Sequence, residues 1–228
     1  MTKPAVDWSS LRNDVHHLGW SRAAVRAVYY RLQHIADVRL YRLLVLLPET
    51  LEQRLLHTPL PYPCREIGYH ELSQLAQDPA NSLQRSRLDT ALARGDVCVG
   101  IINDDHLANQ GWYTRNRTVV DPPVSVGFDP GYLYMYAGYT RPEYRGRNLH
   151  ALGLAQALEL LRQRDCLGFV TIAEHVNYAS RRAARRVGFR DVGLALRVGL
   201  GLRRIWHIGG TSAYGFNLRY DSNEGAAA

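Results

Sequence analysis

A short basic loop with the sequence Arg-Gly-Arg-Asn-Leu-His, residues 145–150, separates an aromatic run at 132–140 from an Ala/Leu-rich segment at 151–164. We predict a strand for the run and a helix for the segment. The first N–H groups of a helix have no partner inside it, and the helix dipole makes that end positive. The glycine permits a tight turn, and the two arginines add charge. The pattern predicts a site for a phosphate-bearing ligand; a basic loop that only begins a surface helix is the alternative.

A second group of polar residues follows the next predicted strand, residues 167–172. Glu174 and His175 come just after the end of that strand, which is where ligands bind in open α/β sheets. Asn177 then begins a predicted helix that ends near residue 187. These residues are therefore expected to lie at the same edge of the sheet as the basic loop.

The two groups, in this order, resemble the acetyl-CoA site of the GNAT (Gcn5-related) N-acetyltransferase superfamily. The first carries Pro-Glu-Tyr-Arg-Gly-Arg at 142–147, and the second carries Asn177, Ser180 and the Gly-Phe pair at 188–189. The resemblance covers about residues 95–200. It implies an α/β fold with a GNAT-like mixed central sheet flanked by helices. It also implies that acetyl-CoA or another acyl-CoA serves as co-substrate, without a metal.

The resemblance further implies which residues contact the co-substrate. The end of the central strand pairs with the pantetheine arm, the basic loop binds the pyrophosphate, and an arginine of the second helix reaches the ribose phosphate. By position, the implied cofactor-binding residues are Gly138, Thr140, Arg145, Gly146, Arg147, Asn148, Leu149, His150, Asn177, Ser180 and Arg186. For the arginines of the second helix, a solvated face is the alternative.

Three positions depart from the family pattern. Asn148 stands where the first glycine of the motif usually lies, although its short side chain tolerates unusual backbone angles. His150 stands at the terminal Gly/Ala position, where we expect it to contact a phosphate. Ala184 stands where many members have a tyrosine that helps to protonate the departing thiolate.

Catalysis in the family begins when an amine attacks the thioester and a base removes a proton from the amine. Glu174 and His175 are the candidates for this base, with a structural or solvated role as the alternative for Glu174. Tyr139 is a candidate for the proton donor.

The composition limits the class of protein. The chain has 228 residues, of which 46% are hydrophobic and 21% charged, as in ordinary soluble globular proteins. A net charge of +7 favours an anionic ligand or surface. Three cysteines show neither metal-ligand spacing nor an even count, and the N-terminus lacks the apolar run of a signal peptide. We therefore expect a cytoplasmic protein.

We divide the chain into three parts. Residues 1–60 form an N-terminal helical extension and linker, residues 61–220 form the GNAT-like domain, and residues 221–228 form a disordered tail.

Within the extension, residues 21–44 place apolar side chains at helical spacing among several arginines, which predicts a basic amphipathic helix with Ser21 as its N-cap. Residues 39–47 either continue this helix or form the first strand. The helix packs on its own domain or, alternatively, makes a weak contact with a membrane surface.

Three further elements are predicted within the domain. Residues 97–102 and 107–113 form a β-hairpin. Residues 116–131, with three prolines, form a loop that lines the acceptor site. Residues 211–218 form a late strand.

The resulting functional expectation is transfer of an acetyl group from acetyl-CoA to the amine of a small molecule or amino sugar. An aminoacyl transferase that uses charged tRNA is an alternative on the same fold. A non-catalytic acyl-CoA-binding sensor and a basic module that binds membrane surfaces or nucleic acid are alternatives of other classes. Nucleic acid is not an expected partner, and the sequence does not indicate the oligomeric state.

Overall fold

The computed structural model describes residues 20–199 and 203–221, and the elements below belong to these ranges. The α-helices are α1 Trp20–Ala36, α2 Arg54–His57, α3 Tyr69–Leu75, α4 Arg85–Ala93, α5 Leu149–Arg162 and α6 Tyr178–Val187. The strands are β1 Val38–Leu46, β2 Cys64–Glu66, β3 Val97–Asn103, β4 His106–Thr114, β5 Thr118–Asp121, β6 Val124–Gly127, β7 Leu133–Thr140, β8 Phe169–Glu174, β9 Arg190–Val198, β10 Arg204–Gly209 and β11 Asn217–Tyr220. Short 3₁₀ turns lie at Pro48–Thr50, Pro79–Asn81, Pro142–Tyr144 and Gly210–Tyr214.

The strands form two sheets. The main sheet has eight strands in the order β10-β9-β1-β8-β7-β4-β3-β2, and β5, β6 and β11 form a second, three-stranded sheet. β7 and β8 are parallel, as the sequence predicts for two strands joined by a helix, whereas the other pairs of the main sheet are antiparallel. The predicted mixed α/β architecture with flanking helices and an N-terminal helix is confirmed.

The first strand shows how the N-terminal region joins the domain. Residues 39–47 could be helix or strand from their sequence, and the structure places most of them in β1, between β8 and β9. Residues 43–46 are buried on both faces of the sheet, which explains an uninterrupted apolar run in place of an alternating one. β1 thus completes the main sheet although it precedes residue 60, and the division of the chain at that position stays a prediction.

Each face of the main sheet has its own covering layer. We call the face covered by α5 and α6 the front face; there Leu154, Leu158 and Leu161 of α5 pack in one cluster with Tyr113 and Phe169. We call the opposite side the back face. α4 covers it over β3 and β4, and the small sheet covers it over β1 and β8. Because side chains along a strand point alternately to opposite faces of the sheet, successive residues of one strand pack against the front and back layers in turn.

The predicted hairpin is confirmed, but two other predictions are wrong. β3 and β4 pair from Val97 with Tyr113 to Asn103 with His106. Residues 116–131, predicted as a loop, contain the hairpin of β5 and β6, whose turn is Pro122-Pro123. Residues 211–218, predicted as one strand, begin in a 3₁₀ turn that ends at Tyr214, and β11 begins only at Asn217.

The amphipathic helix α1 contacts the domain differently from the expectation. It includes Ser21 within its first turn, so Ser21 is not its N-cap. Its apolar stripe is exposed (Val28 60%, Ile35 69%), and the helix is attached through buried Tyr29, whose hydroxyl accepts a hydrogen bond from the Leu40 N–H at 2.9 Å.

None of the helices in the described ranges has the length and apolarity to cross a membrane. The N-terminal 19 residues and the predicted tail from residue 222 onward lie outside the described residues.

We predict that Gly188→Ala destabilises the protein by at least about 2 kcal/mol, because Gly188 ends α6 in the left-handed region at φ 115°. A Cβ at this position would lie 2.0 Å from the Thr50 carbonyl oxygen. Urea unfolding followed by circular dichroism measures the loss. Gly68→Ala is the control, because a Cβ there meets no atom within 4 Å, and it should cost less than about 1 kcal/mol. Equal losses in the two variants would contradict the requirement for glycine at 188.

Candidate active site

The two parallel strands at the centre of the main sheet separate towards their C-terminal ends. β7 and β8 pair only at Leu133 with Phe169 and at Tyr134 with Val170. Beyond these pairs, the Thr171 hydroxyl donates a hydrogen bond to the Met135 carbonyl at 2.9 Å, and no strand of the described residues pairs with the β8 side of β7. The result is a gap whose β7 edge, up to residue 140, presents backbone groups.

A distortion of β7 sits at the same level as this gap. Ala137 has a positive φ of 47°, and the pairing of β7 with β4 shifts register between Gln110 and Trp112. Such a bulge re-aims the strand and interrupts its ladder. Ala137 and Gly138 are exposed, so the backbone of this bulge is accessible.

The basic loop has the geometry of an anion site. Asn148 adopts the left-handed conformation at φ 59° and is the N-cap of α5, without a capping bond from its side chain. Gly146 has φ 79° and open space around it. Within the described residues, the N–H groups of Asn148, Leu149 and His150 make no hydrogen bond. Three unpaired donors at a helix N-terminus fit a phosphate or pyrophosphate, so the residues present suit the phosphate end of an acyl-CoA.

Aromatic rings and backbone oxygens position the two loop arginines. Arg145 lies 6.0 Å from the centre of the Tyr139 ring and donates a hydrogen bond to the Thr140 carbonyl at 3.1 Å. Arg147 lies 5.5 Å from the centre of the Tyr144 ring and donates to the Tyr62 hydroxyl at 3.3 Å. Both arginines remain exposed and add positive charge beside the free N–H groups.

His150 does not point towards the loop. A Cβ on Gly138 would lie 2.8 Å from its Cε1 atom, so the imidazole packs against the backbone of β7 at the gap. Burial lowers the pKa of His150, which leaves the ring uncharged at neutral pH. The His150 backbone N–H is the group that the loop offers to an anion, and the predicted contact between the His150 side chain and a phosphate stays a prediction.

The two residues of β7 that are predicted to contact the pantetheine arm, Thr140 and Gly138, differ in how free their polar groups are to bind it. The Thr140 carbonyl accepts from Arg145, and its hydroxyl accepts from the Asn109 amide at 2.9 Å, so both polar groups have partners. Gly138 is exposed at the bulge and keeps its predicted role.

The second motif has a local structural explanation. The Asn177 side chain caps α6 by accepting the Ser180 N–H at 3.1 Å, which accounts for the three-residue spacing of the pair. Both residues are exposed at the edge of the sheet that carries the loop. Their contact with the co-substrate stays a prediction.

Arg186 belongs to the last turn of α6, beside Val187, whose carbonyl accepts from the Glu52 N–H after β1. This is the sheet edge where β8 begins, whereas the basic loop follows the end of parallel β7. The ten residues of α6 span about 15 Å, so Arg186 lies at the far end of its helix from the loop, and its contact with the ribose phosphate stays a prediction.

Both candidates for the base have hydrogen-bond partners within the protein. Glu174 forms an ion pair with Arg39 at 2.6 Å and accepts from the Gln33 amide at 3.2 Å, which joins it to β1 and α1. The Nδ1 atom of His175 accepts from Arg42 at 3.1 Å, which assigns the ring proton to Nε2. Burial, Arg42 and Arg181 together lower the pKa of His175. These contacts give both residues a structural role, and their assignment as the base stays a prediction.

A pocket on the back face opens onto the bulge of β7. It has a volume of about 170 Å³. Its lining residues come from α4 and the turn before it, from β4 and from β7: Ser82, Leu83, Gln84, Arg87, Leu88, Ala91, Gln110, Trp112, Tyr136, Ala137, Gly138 and Tyr139. The β5–β6 segment, expected to line an acceptor site, contributes no residue to it.

Tyr139 is the predicted catalytic residue that borders this pocket. Within the described residues its hydroxyl makes no hydrogen bond, so it is available to a ligand. The sequence did not predict that residues of α4 and β4 line a pocket, because their spacing is the same for a pocket wall as for a buried core.

A buried carboxylate fixes the aromatic wall of the pocket. The Tyr136 hydroxyl donates to Asp96, whose side chain is fully buried and also pairs with Arg94. Burial, and then the carboxylate, raise the pKa of Tyr136, which therefore stays protonated. Among the described residues, no group of three or more His, Cys, Asp and Glu side chains is arranged to hold a metal ion.

A model of the acetyltransferase (GNAT) family matches residues 60–189. Among solved structures, the chain is similar to a GCN5-related N-acetyltransferase-like protein from Streptococcus suis 89/1591 (13% identity, 75% of this chain and 66% of that one, TM-score 0.48). It is also similar to a GCN5-related N-acetyltransferase from Sphaerobacter thermophilus (12% identity, 78% and 56%, TM-score 0.45). A third is a tandem GNAT protein from the clavulanic acid biosynthesis pathway (18% identity, 83% and 57%, TM-score 0.47).

The chain spans between 56% and 66% of the length of these three structures. The search of curated proteins gave no match.

We predict that His175→Asn makes the stability of the protein less sensitive to acid. The pKa of His175 is lowered in the folded state, so the unfolded chain binds the proton more readily, and stability falls as the pH drops below about 6.5. Asparagine keeps an oxygen that can accept from Arg42 but does not titrate.

Urea unfolding at pH 7.5 and at pH 5.5 measures the effect. The loss between the two pH values should be smaller for His175→Asn than for the wild type, whereas His70→Asn, at an exposed position on α3, serves as the control. An equal loss in His175→Asn and the wild type would show that His175 is not held in its neutral form.

Proposed function

This chain belongs to the GNAT acetyltransferase family, and from that membership we propose that it transfers an acetyl or other acyl group from acyl-CoA to the amine of a small molecule. The observation that carries the proposal is the gap between β7 and β8, which lies between an anion site and a pocket.

The two sites approach the gap from opposite faces of the main sheet. The loop before α5 belongs to the front face, where its free N–H groups and Arg145 suit the phosphates of the co-substrate. The pocket belongs to the back face, among residues of α4 and β4. Both reach Gly138, whose backbone has His150 on one side and the pocket on the other. An acyl group placed in the gap would therefore be within reach of an amine in the pocket.

This arrangement accelerates transfer mainly by holding two reactants together. The amine nitrogen attacks the thioester carbon, the C–N bond forms and the C–S bond breaks. Backbone N–H groups at the unpaired edge of β7 are available to stabilise the carbonyl oxygen as it gains charge.

Tyr139 is the proton donor to the departing sulfur in this proposal. It borders the pocket beside the bulge, and its hydroxyl has no other partner within the described residues. Ala184 leaves the family's usual tyrosine position without a hydroxyl, so the donor must come from elsewhere in the site. No carboxylate or imidazole belongs to the pocket lining, so the proton of the amine leaves through water.

We predict that Gly146→Trp weakens the binding of acetyl-CoA at least about tenfold, because an indole at this position covers the free N–H groups before α5. Isothermal titration calorimetry measures the affinity.

Gly95→Trp is the matched control. Gly95 also has a positive φ, 75° against 79°, and also has open space around it, but it lies after α4 and away from the loop. Equal affinities in the two variants would remove the loop from the site. Binding of acetyl-CoA without release of thiol in the presence of any amine would instead indicate a sensor.

We predict that Tyr139→Phe lowers kcat about a hundredfold while the dissociation constant of acetyl-CoA changes little, because the variant keeps the ring and loses only the proton donor. Thiol release at saturating acetyl-CoA measures kcat, with an amine found by screening. Tyr69→Phe, on the exposed surface of α3, is the control. An unchanged kcat in Tyr139→Phe would assign the proton to another group.

A further inference from the structure

The pocket on the back face has an unusual charge balance for the acceptor site of an amine. Of its lining residues, Arg87 is the one charged side chain, and no carboxylate accompanies it. An ammonium group in this pocket would meet a guanidinium and no counter-charge. The electrostatics therefore favour an acceptor that carries a negative charge and an uncharged amine.

Arg87 differs from Arg94 and Arg141 in having no partner within the described residues. Arg94 pairs with Asp96, and Arg141 pairs with Asp78 and Glu143. Within the described residues, the Arg87 side chain makes no hydrogen bond or ion pair. Its guanidinium is thus available to bind a carboxylate in a bidentate manner.

The α4 residues of the pocket lie on one face of the helix. Gln84, Arg87, Leu88 and Ala91 follow the spacing of residues that share a helical face. Arg85, two positions before Arg87, does not line the pocket, although its side chain is also exposed. The helix therefore offers the pocket one specific cation.

The shape and walls of the pocket suit a single aromatic ring. Trp112 and Tyr136 lie side by side, with ring centres 6.3 Å apart, and Leu83 and Leu88 add apolar surface. The volume is about 170 Å³, and an apolar cavity of about 150 Å³ accommodates benzene. Offset stacking on such rings adds affinity beyond the buried area.

From these observations we propose that the acceptor is an aromatic amine with a carboxylate on its single ring, the aminobenzoate class, whose carboxylate pairs with Arg87 while its ring lies against Trp112 and Tyr136. This inference rests on the proposed function, since it names the acceptor of that same reaction. The acceptor class also fits the absence of a carboxylate or imidazole from the pocket lining, because an aromatic amine is unprotonated at neutral pH and attacks without prior loss of a proton.

The reaction balances without a further reactant. The nitrogen of the aminobenzoate attacks the acetyl carbon of the thioester, the C–N bond forms and the C–S bond breaks. The nitrogen loses one proton to water, the departing sulfur takes one from Tyr139, and Tyr139 regains a proton from water. The products are the N-acetylated aminobenzoate and CoA with a free thiol.

The test compares acceptors and variants by thiol release at saturating acetyl-CoA. The acceptors are 4-aminobenzoate, aniline, which lacks the carboxylate, and spermidine, a cationic amine. For the wild type, kcat/KM should be at least about tenfold higher for 4-aminobenzoate than for the other two. Arg87→Gln should remove most of the advantage over aniline, chiefly by raising KM, while Arg85→Gln should behave as the wild type. A preference for spermidine, or equal effects of the two substitutions, overturns the proposal.

A binding measurement separates this proposal from the proposed function. Equilibrium dialysis of 4-aminobenzoate, with and without CoA, reports on the pocket independently of turnover. If acetyl-CoA binds and amines are acetylated but 4-aminobenzoate does not bind, the acceptor class is wrong and the proposed function stands. If 4-aminobenzoate binds in a manner that depends on Arg87 but not on Arg85, and acetyl-CoA does not bind, the ligand class of the pocket is supported and acyl transfer is wrong.

Discussion

The site depends on one constraint: the backbone N–H and C=O groups of a sheet need hydrogen-bond partners, which a neighbouring strand, water or a ligand can supply. β7 and β8 pair at two positions, Leu133 with Phe169 and Tyr134 with Val170, and then separate. The Thr171 hydroxyl pairs with the Met135 carbonyl at the point of separation, where β8 no longer supplies a ladder bond. The positive φ of Ala137 turns β7 away from the ladder just beyond. A strand edge left unpaired in the middle of a sheet is costly for folding alone, and an extended ligand that supplies the missing partners removes that cost.

A network of charges on the back face ties β8 to β1 and β9. Arg197 of β9 pairs with Asp37 and Asp121 at 2.6 Å each, and Arg39 of β1 pairs with Glu174 at the end of β8. These partners come from β5, β8, β9 and the α1–β1 junction, so the network ties the N-terminal segment to the C-terminal half of the sheet. The Oε1 atom of Glu174 accepts from Arg39 in this network, which joins the edge of the gap to β1. Buried charges of this kind tolerate poorly the loss of one partner.

Local patterns predicted the loop, whereas contacts between distant segments determined the rest of the site. The loop and the α6 cap depend on residues within a few positions of each other, such as Asn148 and the Asn177–Ser180 pair, and the structure has the expected backbone there. The short strands around Pro122-Pro123 were missed because prolines between two strands resemble a loop in sequence.

The partners of titratable groups could not be inferred from spacing. Glu174 and Arg39 are 135 positions apart, and His175 and Arg42 are 133 apart, so nothing in the sequence showed that these acceptors were occupied. The distance of Arg186 from the basic loop could not be inferred from spacing either, because it depends on how α6 lies against the sheet. The exposed stripe of α1 likewise depends on where β1 enters the sheet and not on the helical pattern itself.

The position of the one buried acid near the pocket explains the chemistry that the pocket can perform. Asp96 lies behind Tyr136 and is bonded to the tyrosine hydroxyl and to Arg94, so its charge orients the wall and does not reach a ligand. A carboxylate on the pocket side of the Tyr136 ring would attract ammonium groups and act as a base. Asp96 lies on the other side of the ring and does neither. The same acid therefore fixes the ring against which the proposed acceptor packs and leaves Arg87 as the unopposed charge in the pocket. In this fold the placement of arginines relative to their carboxylates, more than the net charge of +7, determines which ligands the back face can accept.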